Sequence, residues 1–229
     1  MKPATHLIRG VLERLPLLEG VNQEAVRELT TQSTLLRAAR GQTIVRRGEP
    51  VKSVYAVAYG SVKTRLQQPH GDETVLALLG PGATFGKTAV LLGAPSALDV
   101  ISLADTMLVA IRASCVLALL ERNTRFSRNV TRALAERNLN LVCELEAGLL
   151  HSGQRLAAYL QSIAEPHVEP NRATARLPVS KTLLAARLGI KKETLSRLLR
   201  QFAREGLIAV RGRDIAILDA AGISKRTTP

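Results

Sequence analysis

Residues 180–200 read SKTLLAARLGIKKETLSRLLR, and this stretch gives the strongest indication of the fold. Its apolar positions recur at the spacings expected of two short helices that cross closely, and they are Leu184, Leu188, Ile190, Leu195 and Leu198. The small residue Ala185 lies where the two helices would touch. Gly189 follows the first helical run, where a turn needs a positive φ that glycine adopts without strain. The stretch therefore predicts a helix-turn-helix whose second helix begins near Lys191 or Lys192.

The outward face of this second helix carries side chains suited to base-pair edges. Four of them follow the i, i+3, i+4, i+7 spacing that places residues on one helix face: Glu193, Ser196, Arg197 and Arg200. Arg197 can present a bidentate fork to guanine, Glu193 can accept from cytosine or orient the arginine, and Ser196 can bond to a base edge. The alternative is an ordinary amphipathic helix pair whose charged face is only solvated. We favour DNA recognition because the position-specific requirements are met together in a basic context.

Further basic and polar residues extend this predicted interface. Lys191 and Lys192 stand at the start of the second helix and suit phosphate contacts that set register, and Ser180 is included with them. Residues 207–210 and 215–218 are apolar runs that flank a glycine turn, which predicts a two-stranded wing. Arg211 and Arg213 at its tip are placed to touch the phosphate backbone, although charged turns also serve solubility alone.

Composition agrees with a nucleic-acid partner. The 229 residues can form two domains, and the formal net charge is +13. Residues 151–229 hold fourteen Lys and Arg against six Asp and Glu, so +8 of the excess lies in the last third. Such a field attracts polyanions and makes DNA affinity salt-dependent. We find no apolar run of about 18 residues and no secretion signal, and we expect a cytoplasmic protein with no membrane partner.

Only two cysteines are present, Cys115 and Cys143, and they form no CxxC pair. The cysteines therefore suggest neither a disulfide framework nor a zinc knuckle, and their number excludes a four-cysteine iron–sulfur cluster within one chain. Cys143 lies on a predicted long helix and could meet a symmetry mate as a redox sensor. The alternative is that both cysteines are small buried apolar residues.

The rest of the chain predicts an α+β protein. Residues 5–30 are predicted to be helical, with Asn22 as the N-cap of a helix over 23–29. Residues 34–112 contain β-rich runs separated by glycines, a pattern typical of a small antiparallel barrel or roll. The most strongly predicted strands are 51–59, 61–66, 73–79, 98–103 and 107–111. Helices follow over 113–120, about 124–150 and 154–163, and residues 165–177, with their prolines, are predicted as a loop.

The helix over 124–150 has an apolar stripe at spacings of mostly three or four, comprising Phe126, Val130, Leu134, Leu141, Leu145 and Leu149. It suits a dimer interface, although a helix buried within one chain would show the same stripe. Two-fold symmetry would place paired recognition helices about 34 Å apart on a near-palindromic site. We therefore predict a sensing domain over 1–120, a dimerisation helix over 121–150, a hinge near 148–153 and a DNA-binding domain over 151–229.

In this order, a glycine-punctuated roll, a long helix and a winged helix-turn-helix, the chain resembles the cyclic AMP receptor protein/FNR (CRP/FNR) family of bacterial transcription regulators. Residues 193–197, ETLSR, resemble the E-x-x-S-R recognition motif of the FNR-like branch. The resemblance implies inverted repeats of a TTGAT-type half-site. It also implies a homodimer, contact with RNA polymerase, and activation more than repression. The run 177–218 is similar to regulators of denitrification.

The effector site departs from the cyclic-nucleotide pattern. In the cyclic AMP branch, a Phe-Gly-Glu segment holds the ribose and an Arg-Ser pair holds the phosphate, whereas here Phe85-Gly86 is followed by Lys87, then Thr88, and the later pair is Ser96-Ala97. Leu141 and Val142 lie where that branch offers hydroxyls to the base. Losing a charge-assisted contact costs about 1.5 to 3 kcal/mol, so we predict that cyclic AMP does not bind. Lys87 and Ser96 could hold another anion, or Lys87 could extend out of the barrel.

Other members of the family use iron–sulfur clusters or haem. Residues 1–30 contain no cysteine, which excludes the iron–sulfur mechanism, while four histidines are candidate haem ligands: His6, His70, His151 and His167. Each of them could equally be a surface histidine. The leading hypothesis is a regulator that responds to a signal other than cyclic AMP, with nitric oxide or redox sensing through haem as one option.

Two alternatives remain at the level of sequence. A ligand-independent DNA-binding regulator with a vestigial barrel fits the same motifs. A cupin-type metalloenzyme also uses a small barrel, but residues 34–112 hold a single histidine, His70, where a metal site normally needs two or three. No hydrolase, zinc-protease or P-loop motif is present, so we do not expect an enzyme.

Overall fold

The computed structural model describes residues 3–67, 73–149, 151–166, 171–177 and 179–227, and the side chains of residues 3, 143–149 and 166 lie outside this description. The chain divides into two compact units, residues 1–138 and 139–229. Both units combine helices with antiparallel sheet, which confirms the predicted α+β class. None of the described helices is long and apolar enough to cross a lipid bilayer.

The first unit opens with two helices, α1 (Pro3–Leu12) and α2 (Gln23–Thr31), joined through a 3₁₀ turn at Pro16–Leu18. The predicted cap at Asn22 is confirmed, because its side-chain oxygen accepts a hydrogen bond from the Ala25 amide at 3.0 Å. That bond satisfies one of the amides that a helix start leaves without an intrahelical partner.

Eight strands follow in the described part of this unit: β1 (Ser33–Ala38), β2 (Thr43–Val45), β3 (Ser53–Tyr59), β4 (Val62–Gln67), β5 (Glu73–Leu79), β6 (Thr84–Phe85), β7 (Asp99–Ser102) and β8 (Thr106–Arg112). They form two antiparallel sheets, with strand orders β1-β8-β3-β6 and β2-β7-β4-β5. The five predicted strands are confirmed to within two residues at each end. The sequence reasoning did not name β1, β2 or β6, which are short or contain polar residues.

One hydrophobic core lies between the two sheets, and a second lies between the sheet β1-β8-β3-β6 and the helices. Val57, Val62 and Leu108 belong to a cluster between the sheets. Their neighbours Val54 and Ile111 point the other way and pack with the helices. The side-chain period of two thus buries both faces of β3 and β8, which accounts for their near-continuous apolar sequences.

Three more helices belong to this part of the chain: α3 (Lys87–Leu92), α4 (Ala113–Arg122) and the long α5 (Thr124–Leu149). The start of α5 is anchored in its own unit, because Phe126 and Val130 are buried in the helix-covered core and Leu134 packs against it. Beyond the division at residue 138, Leu141 is 38 % exposed in the described chain. The first half of the predicted stripe is therefore internal and Leu141 is exposed, while the side chains of Leu145 and Leu149 lie outside the described residues.

The second unit contains α6 (Ser152–Ser162), β9 (Ala164–Pro166), β10 (Ala173–Arg176), α7 (Lys181–Arg187), α8 (Lys192–Arg204), β11 (Ile208–Arg211), β12 (Asp214–Ile217) and α9 (Ala220–Lys225). Its strands form one antiparallel sheet in the order β11-β12-β10-β9. Leu156, Phe202 and Ile215 are at most 1 % exposed in its core.

One sequence prediction is wrong in this unit. Residues 165–177 were predicted as a loop, yet β9 and β10 lie at its two ends and pair with each other, and β10 also pairs with β12. In β10 only Ala175 is buried, and its neighbours Thr174 and Arg176 are exposed. Alanine, which occupies two of the four positions of β10, is depleted in strands, so we attribute this strand to its pairing with β12 more than to its own sequence.

Candidate nucleic-acid interface

The helix pair α7–α8 is fixed by local interactions at both ends of α7. Ser180 caps α7, since its hydroxyl oxygen accepts a hydrogen bond from the Leu183 amide at 3.3 Å. At the other end Gly189 adopts φ +61°, and the Ile190 amide donates to the Ala185 carbonyl at 3.0 Å. This is the turn that the sequence predicted. It brings the chain directly to Lys191, which precedes the first residue of α8.

One face of α8 is buried in the core of the second unit. Leu195 and Phe202 are fully buried and Leu199 is 3 % exposed. Leu198, which was predicted as a core position, is only partly buried, and Leu199 takes the deeper place. The spacing 195, 199, 202 is that of one helix face, so the residues on the opposite side must point away from the core.

The predicted recognition residues occupy that opposite face. Glu193, Arg197 and Arg200 are exposed and Ser196 is half-buried. Arg200 is held along the helix, because its Nε donates to the Ser196 carbonyl at 3.3 Å. Arg197 has no acidic partner within the described ranges. Its guanidinium is therefore available to a ligand.

Lys191 and Lys192 are exposed at the first turn of α8, as the predicted phosphate contacts require. The predicted wing is confirmed as β11 and β12, which pair in the register Arg211↔Asp214. Gly212 takes φ +62° in the two-residue turn between them. The wing is anchored to the sheet, since the Leu177 amide donates to the Arg213 carbonyl at 2.8 Å. Arg211 and Arg213 are both exposed at its tip.

Sequence reasoning missed Arg155, which lies on α6 behind the α7–α8 turn. Its Nη1 lies 3.5 Å from the position that a Cβ would take at Gly189. Its Nε is buried and has no hydrogen-bond partner among the described residues. An arginine on the polar side of a helix gives no sequence signal of such a position, because the contact depends on how α6 packs.

In the first unit, the residues of the predicted effector pocket each contact their own near neighbours. Phe85 is buried inside the roll, where its ring stacks on Tyr55 with centroids 4.9 Å apart. Gly86 takes φ +85°, and a Cβ there would lie 2.9 Å from the Ser53 carbonyl, so a side chain could not be added without a shift. Thr88 and Ala97 are exposed.

Lys87 and Ser96 are each bonded to their own neighbours. The Lys87 ammonium donates to the carbonyl oxygen of Thr84 at 3.0 Å and also to the Thr84 hydroxyl. Burial lowers the pKa of Lys87 to about 8. The Ser96 hydroxyl donates to the Leu98 carbonyl at 2.7 Å. On α5, Leu141 and Val142 are exposed in the second unit, at 38 % and 45 %.

The candidate haem ligands and cysteines form no cluster in the described chain. His6 is exposed on α1, and His151 caps α6 by accepting a hydrogen bond from the Gln154 amide at its Nδ1. His70 and His167 lie outside the described residues, as does the side chain of Cys143. Cys115 packs against the helix-covered core as a partly buried residue. Within the described ranges, no three His, Cys, Asp or Glu side chains are grouped so as to hold a metal.

Comparison with known proteins matches both units to families. Residues 35–123 match the cyclic nucleotide-binding domain, and residues 154–226 match the Crp-like helix-turn-helix domain. A relative from Mycobacterium tuberculosis H37Rv, the CRP-like cAMP-activated global transcriptional regulator, is 25 % identical over 224 residues, covering 94 % of this chain and 98 % of that protein.

Solved structures agree over nearly the whole chain. The catabolite activator protein of Thermus thermophilus is 26 % identical with a TM-score of 0.53, covering 93 % of this chain and 98 % of that one. FixK2 of Bradyrhizobium japonicum shares the fold with a TM-score of 0.73 at 21 % identity, covering 86 % and 98 %. These similarities support a regulator and give no support to the cupin-type enzyme. The chain belongs to the cyclic AMP receptor protein/FNR family of DNA-binding transcription regulators.

Proposed function

We propose that this regulator is a homodimer that binds near-palindromic DNA with TTGAT-type half-sites and responds to a signal other than cyclic AMP. The observation that carries the proposal is the exposed row on α8, in which Glu193 and Arg197 stand on the side opposite the buried Leu195 and Phe202. A rigidly packed helix that presents an arginine and a glutamate one turn apart can read guanine and cytosine edges in the major groove.

The surrounding charges support a phosphate-contacting role on both sides of this row. Lys191 and Lys192 stand at the start of α8, and Arg211 and Arg213 stand at the wing tip, all exposed. Phosphate contacts of this kind fix the register of the protein on DNA without reading sequence. The recognition row would then select the site.

Dimerisation is supported by uncovered apolar residues on α5. Leu139, Leu141 and Val142 are 65 %, 38 % and 45 % exposed in the described chain. Exposed apolar side chains that lie close together often mark a protein–protein interface, and we propose that α5 of a second copy covers these three. The two-fold symmetry of such a dimer would match an inverted repeat in the DNA. By analogy with the family, contact between the bound dimer and RNA polymerase would make it an activator.

The proposal of a different signal rests on the altered pocket. Lys87 replaces the glutamate of the cyclic AMP branch and is bonded to Thr84, and Ser96 is bonded to the backbone of Leu98. Neither residue supplies the carboxylate or the guanidinium that the cyclic nucleotide needs. The M. tuberculosis relative is named as cAMP-activated. For this chain we propose a different signal, because Lys87 and Ser96 depart from the cyclic AMP pattern.

Site recognition is tested by comparing duplexes with two inverted TTGAT half-sites and with scrambled half-sites. We expect Arg197→Ala to reduce the preference for the intact site by about tenfold to a hundredfold, because a bidentate base contact contributes about 1 to 3 kcal/mol of discrimination. Arg27→Ala is the matched control, since Arg27 is an exposed arginine on α2. An unchanged preference in Arg197→Ala would reject the assigned role.

The signal is tested by titrating cyclic AMP in a calorimeter. We expect no heat of binding at micromolar concentrations, and micromolar affinity would contradict the proposal. Haem binding needs a separate measurement. The described candidate ligands are His6 on α1 in the first unit and His151 at the start of α6 in the second. A stoichiometric Soret band after reconstitution would identify haem as the cofactor.

A further inference from the structure

Arg155 on α6 carries a buried hydrogen-bond donor that the described chain leaves unsatisfied. Its Nε is buried and has no acceptor among the described residues. A buried donor without an acceptor lowers the stability of the folded state, and native structures contain few such groups. Natural proteins break this rule most often at functional sites. Arg155 is therefore a candidate for contact with a ligand.

The tip of the same side chain reaches the surface at the α7–α8 turn. Arg155 as a whole is half-buried. Within the described ranges, Nε is the part of its guanidinium that is buried without an acceptor, and Nη1 and Nη2, which form no hydrogen bond there, face solvent. Nη1 lies 3.5 Å from the position that a Cβ would take at Gly189, and Gly189 is exposed. The buried stem thus presents two free Nη groups beside the turn.

The charges around this turn are mainly positive. Lys191 and Lys192 are exposed. Two residues of extended chain span at most about 7 Å, so the backbone of Lys191 lies within that distance of Gly189. Glu193 is the acidic residue in the first turn of α8, and it belongs to the recognition row. No acidic side chain in the described part of the chain forms an ion pair with Arg155, so its charge is available to an anion.

We propose that Arg155 binds a DNA phosphate beside the α7–α8 turn, with its two free Nη groups as the donors. Arginine forms charge-assisted bonds with phosphate, and its planar guanidinium can donate two of them side by side. In a helix-turn-helix the second helix enters the major groove while the first crosses the sugar–phosphate backbone, so the turn between them lies near phosphates. The inference deepens the proposed function and rests on it, because it assumes that α8 enters the groove.

A phosphate contact at Arg155 differs in its effect from a base contact at Arg197. It adds affinity for any duplex and leaves the choice of sequence unchanged. Each phosphate that a cation neutralises also releases counterions, so the contact makes the affinity more dependent on salt. Because the stem of Arg155 is already held by the protein, little side-chain freedom is lost on binding.

The test compares the full chain with its Arg155→Met variant on two duplexes of equal length, one with inverted TTGAT half-sites and one with scrambled half-sites. Fluorescence anisotropy measures the affinities at about 50 to 200 mM salt. We expect Arg155→Met to weaken both complexes by the same factor, about tenfold at the lower salt concentration. The slope of log affinity against log salt should become shallower by about 0.9 for each protomer bound. The preference for the TTGAT duplex should not change.

The control variant is Lys225→Met, which removes one positive charge from an exposed position on α9 in the same unit. Helix α9 lies beside the carboxyl end of α8, since Arg226 stacks over the Phe202 ring and pairs with Glu205. Lys225→Met should therefore leave the salt slope unchanged. An unchanged slope in Arg155→Met, or a loss confined to the TTGAT duplex, would overturn the proposal.

The stability of Arg155→Met separates binding from a structural role. Methionine keeps an apolar stem and removes the unsatisfied donor, so the urea midpoint of the variant should not fall below that of the unaltered chain. A lower midpoint with an unchanged salt slope would mark Arg155 as a structural residue.

A second measurement needs no variant. Phenylglyoxal modifies arginines whose Nη groups are open to solvent, and mass spectrometry locates the modified residues. We expect Arg155 to react in the free chain and to be protected by the TTGAT duplex. Arg27, exposed on α2 in the first unit, should react equally with and without DNA. If Arg155 does not react in the free chain, or reacts equally in the complex, the phosphate contact is wrong.

The two proposals fail separately. An unaltered chain that binds both duplexes equally contradicts the proposed half-site, while a shallower salt slope in Arg155→Met would still assign the phosphate contact. An unaltered chain that prefers the TTGAT duplex, with the same salt slope in Arg155→Met, contradicts the phosphate contact alone.

Discussion

Gly189 is the residue on which the geometry of the helix pair depends. Its φ of +61° is unfavourable for any residue with a Cβ, and a Cβ there would meet Arg155 at 3.5 Å, an ordinary contact. The cost of placing a side chain at position 189 therefore comes from the backbone conformation and not from steric crowding. We expect Gly189→Ala to lower the free energy of unfolding of the second unit by about 1 kcal/mol, measured by urea denaturation with hydrogen exchange resolved along the chain.

The matched control for this substitution is Gly153→Ala. Gly153 lies inside α6 with no positive φ, and its added Cβ would lie 3.4 Å from the His151 ring. Alanine is the better helix former by about 0.5 to 1 kcal/mol, so this change should leave the unit as stable or more stable. Equal destabilisation by both substitutions would show that φ at 189 is not the cause.

Single residues whose role is set by their nearest neighbours could be predicted from the sequence. Asn22 caps α2 and Gly189 and Gly212 adopt positive φ, because caps and turns depend on a few consecutive residues. Lys87 and Arg155 could not be placed in this way. The burial of Lys87 depends on helices and strands that are distant in sequence, and the contact of Arg155 depends on the packing of α6.

At the scale of elements, an ion network joins three strands of the sheet β2-β7-β4-β5. Glu73 on β5 pairs with Lys63 and with Arg65 on β4, the latter at 2.8 Å, and Arg65 reaches Asp99 on β7 at 3.3 Å. Burial raises the pKa of Glu73, but the hydrogen bonds from Lys63 and Arg65 outweigh it, and the net effect is a lowered pKa. Deprotonated Glu73 is therefore the form that stabilises the sheet.

This network makes the stability of the first unit depend on acid pH. A carboxyl whose pKa is lower in the folded state contributes stability above its unfolded pKa, and this is lost as pH falls through the folded value. We expect Glu73→Gln to cost about 1 kcal/mol at pH 7, with the difference from the unaltered chain vanishing below the pKa of folded Glu73. Urea unfolding at a series of pH values measures the cost at pH 7 and its disappearance at acid pH.

Glu49→Gln is the control for the network. Glu49 and Arg46 lie 3.8 Å apart with side chains 60 % and 70 % exposed, so their pair contributes little. The control should fall within about 0.5 kcal/mol of the unaltered chain at every pH. A pH-independent loss in Glu73→Gln would instead indicate a packing effect.

The elements themselves were partly predictable. Runs of β-branched and aliphatic residues located β3, β4, β5, β7 and β8, since a strand that is buried on at least one face carries that composition. Their pairing was not predictable, because β4 lies between β5 and β7, and β7 is more than thirty residues away in sequence. β10 was missed for the opposite reason, since its partner β12 and not its own residues makes it a strand.

At the scale of the whole molecule, each unit carries its own core. Phe126 and Val130 belong to the core of the first unit, and Leu156 and Phe202 to that of the second. The division falls inside α5, between Asn138 and Leu139. Helix α5 continues from the unit that matches the cyclic nucleotide-binding domain into the unit that matches the helix-turn-helix domain. Beyond the division its residues Leu139, Leu141 and Val142 are exposed in the described chain, and the proposed dimer would cover them.

The dimer is tested at Leu141, the stripe residue that lies seven positions, two helical turns, beyond Leu134. Leu141→Glu would place an unpaired carboxylate in the proposed interface, and we expect it to raise the dimer dissociation constant by roughly thirtyfold, equivalent to about 2 kcal/mol. Sedimentation velocity over a range of concentrations measures the dissociation constant. Asn140→Glu adds the same charge at the neighbouring exposed position, off the stripe, and should leave the dimer intact.

The same pair of variants connects assembly to DNA binding. A dimer that places two recognition helices on one inverted repeat binds with both half-sites, so a monomer should lose affinity for the full site and retain its weak affinity for a single half-site. Leu141→Glu should therefore bind full and half-sites almost equally at low protein concentration, and Asn140→Glu should keep the full-site advantage. If Leu141→Glu stays dimeric and keeps that advantage, the exposed surface of α5 is not the dimer interface.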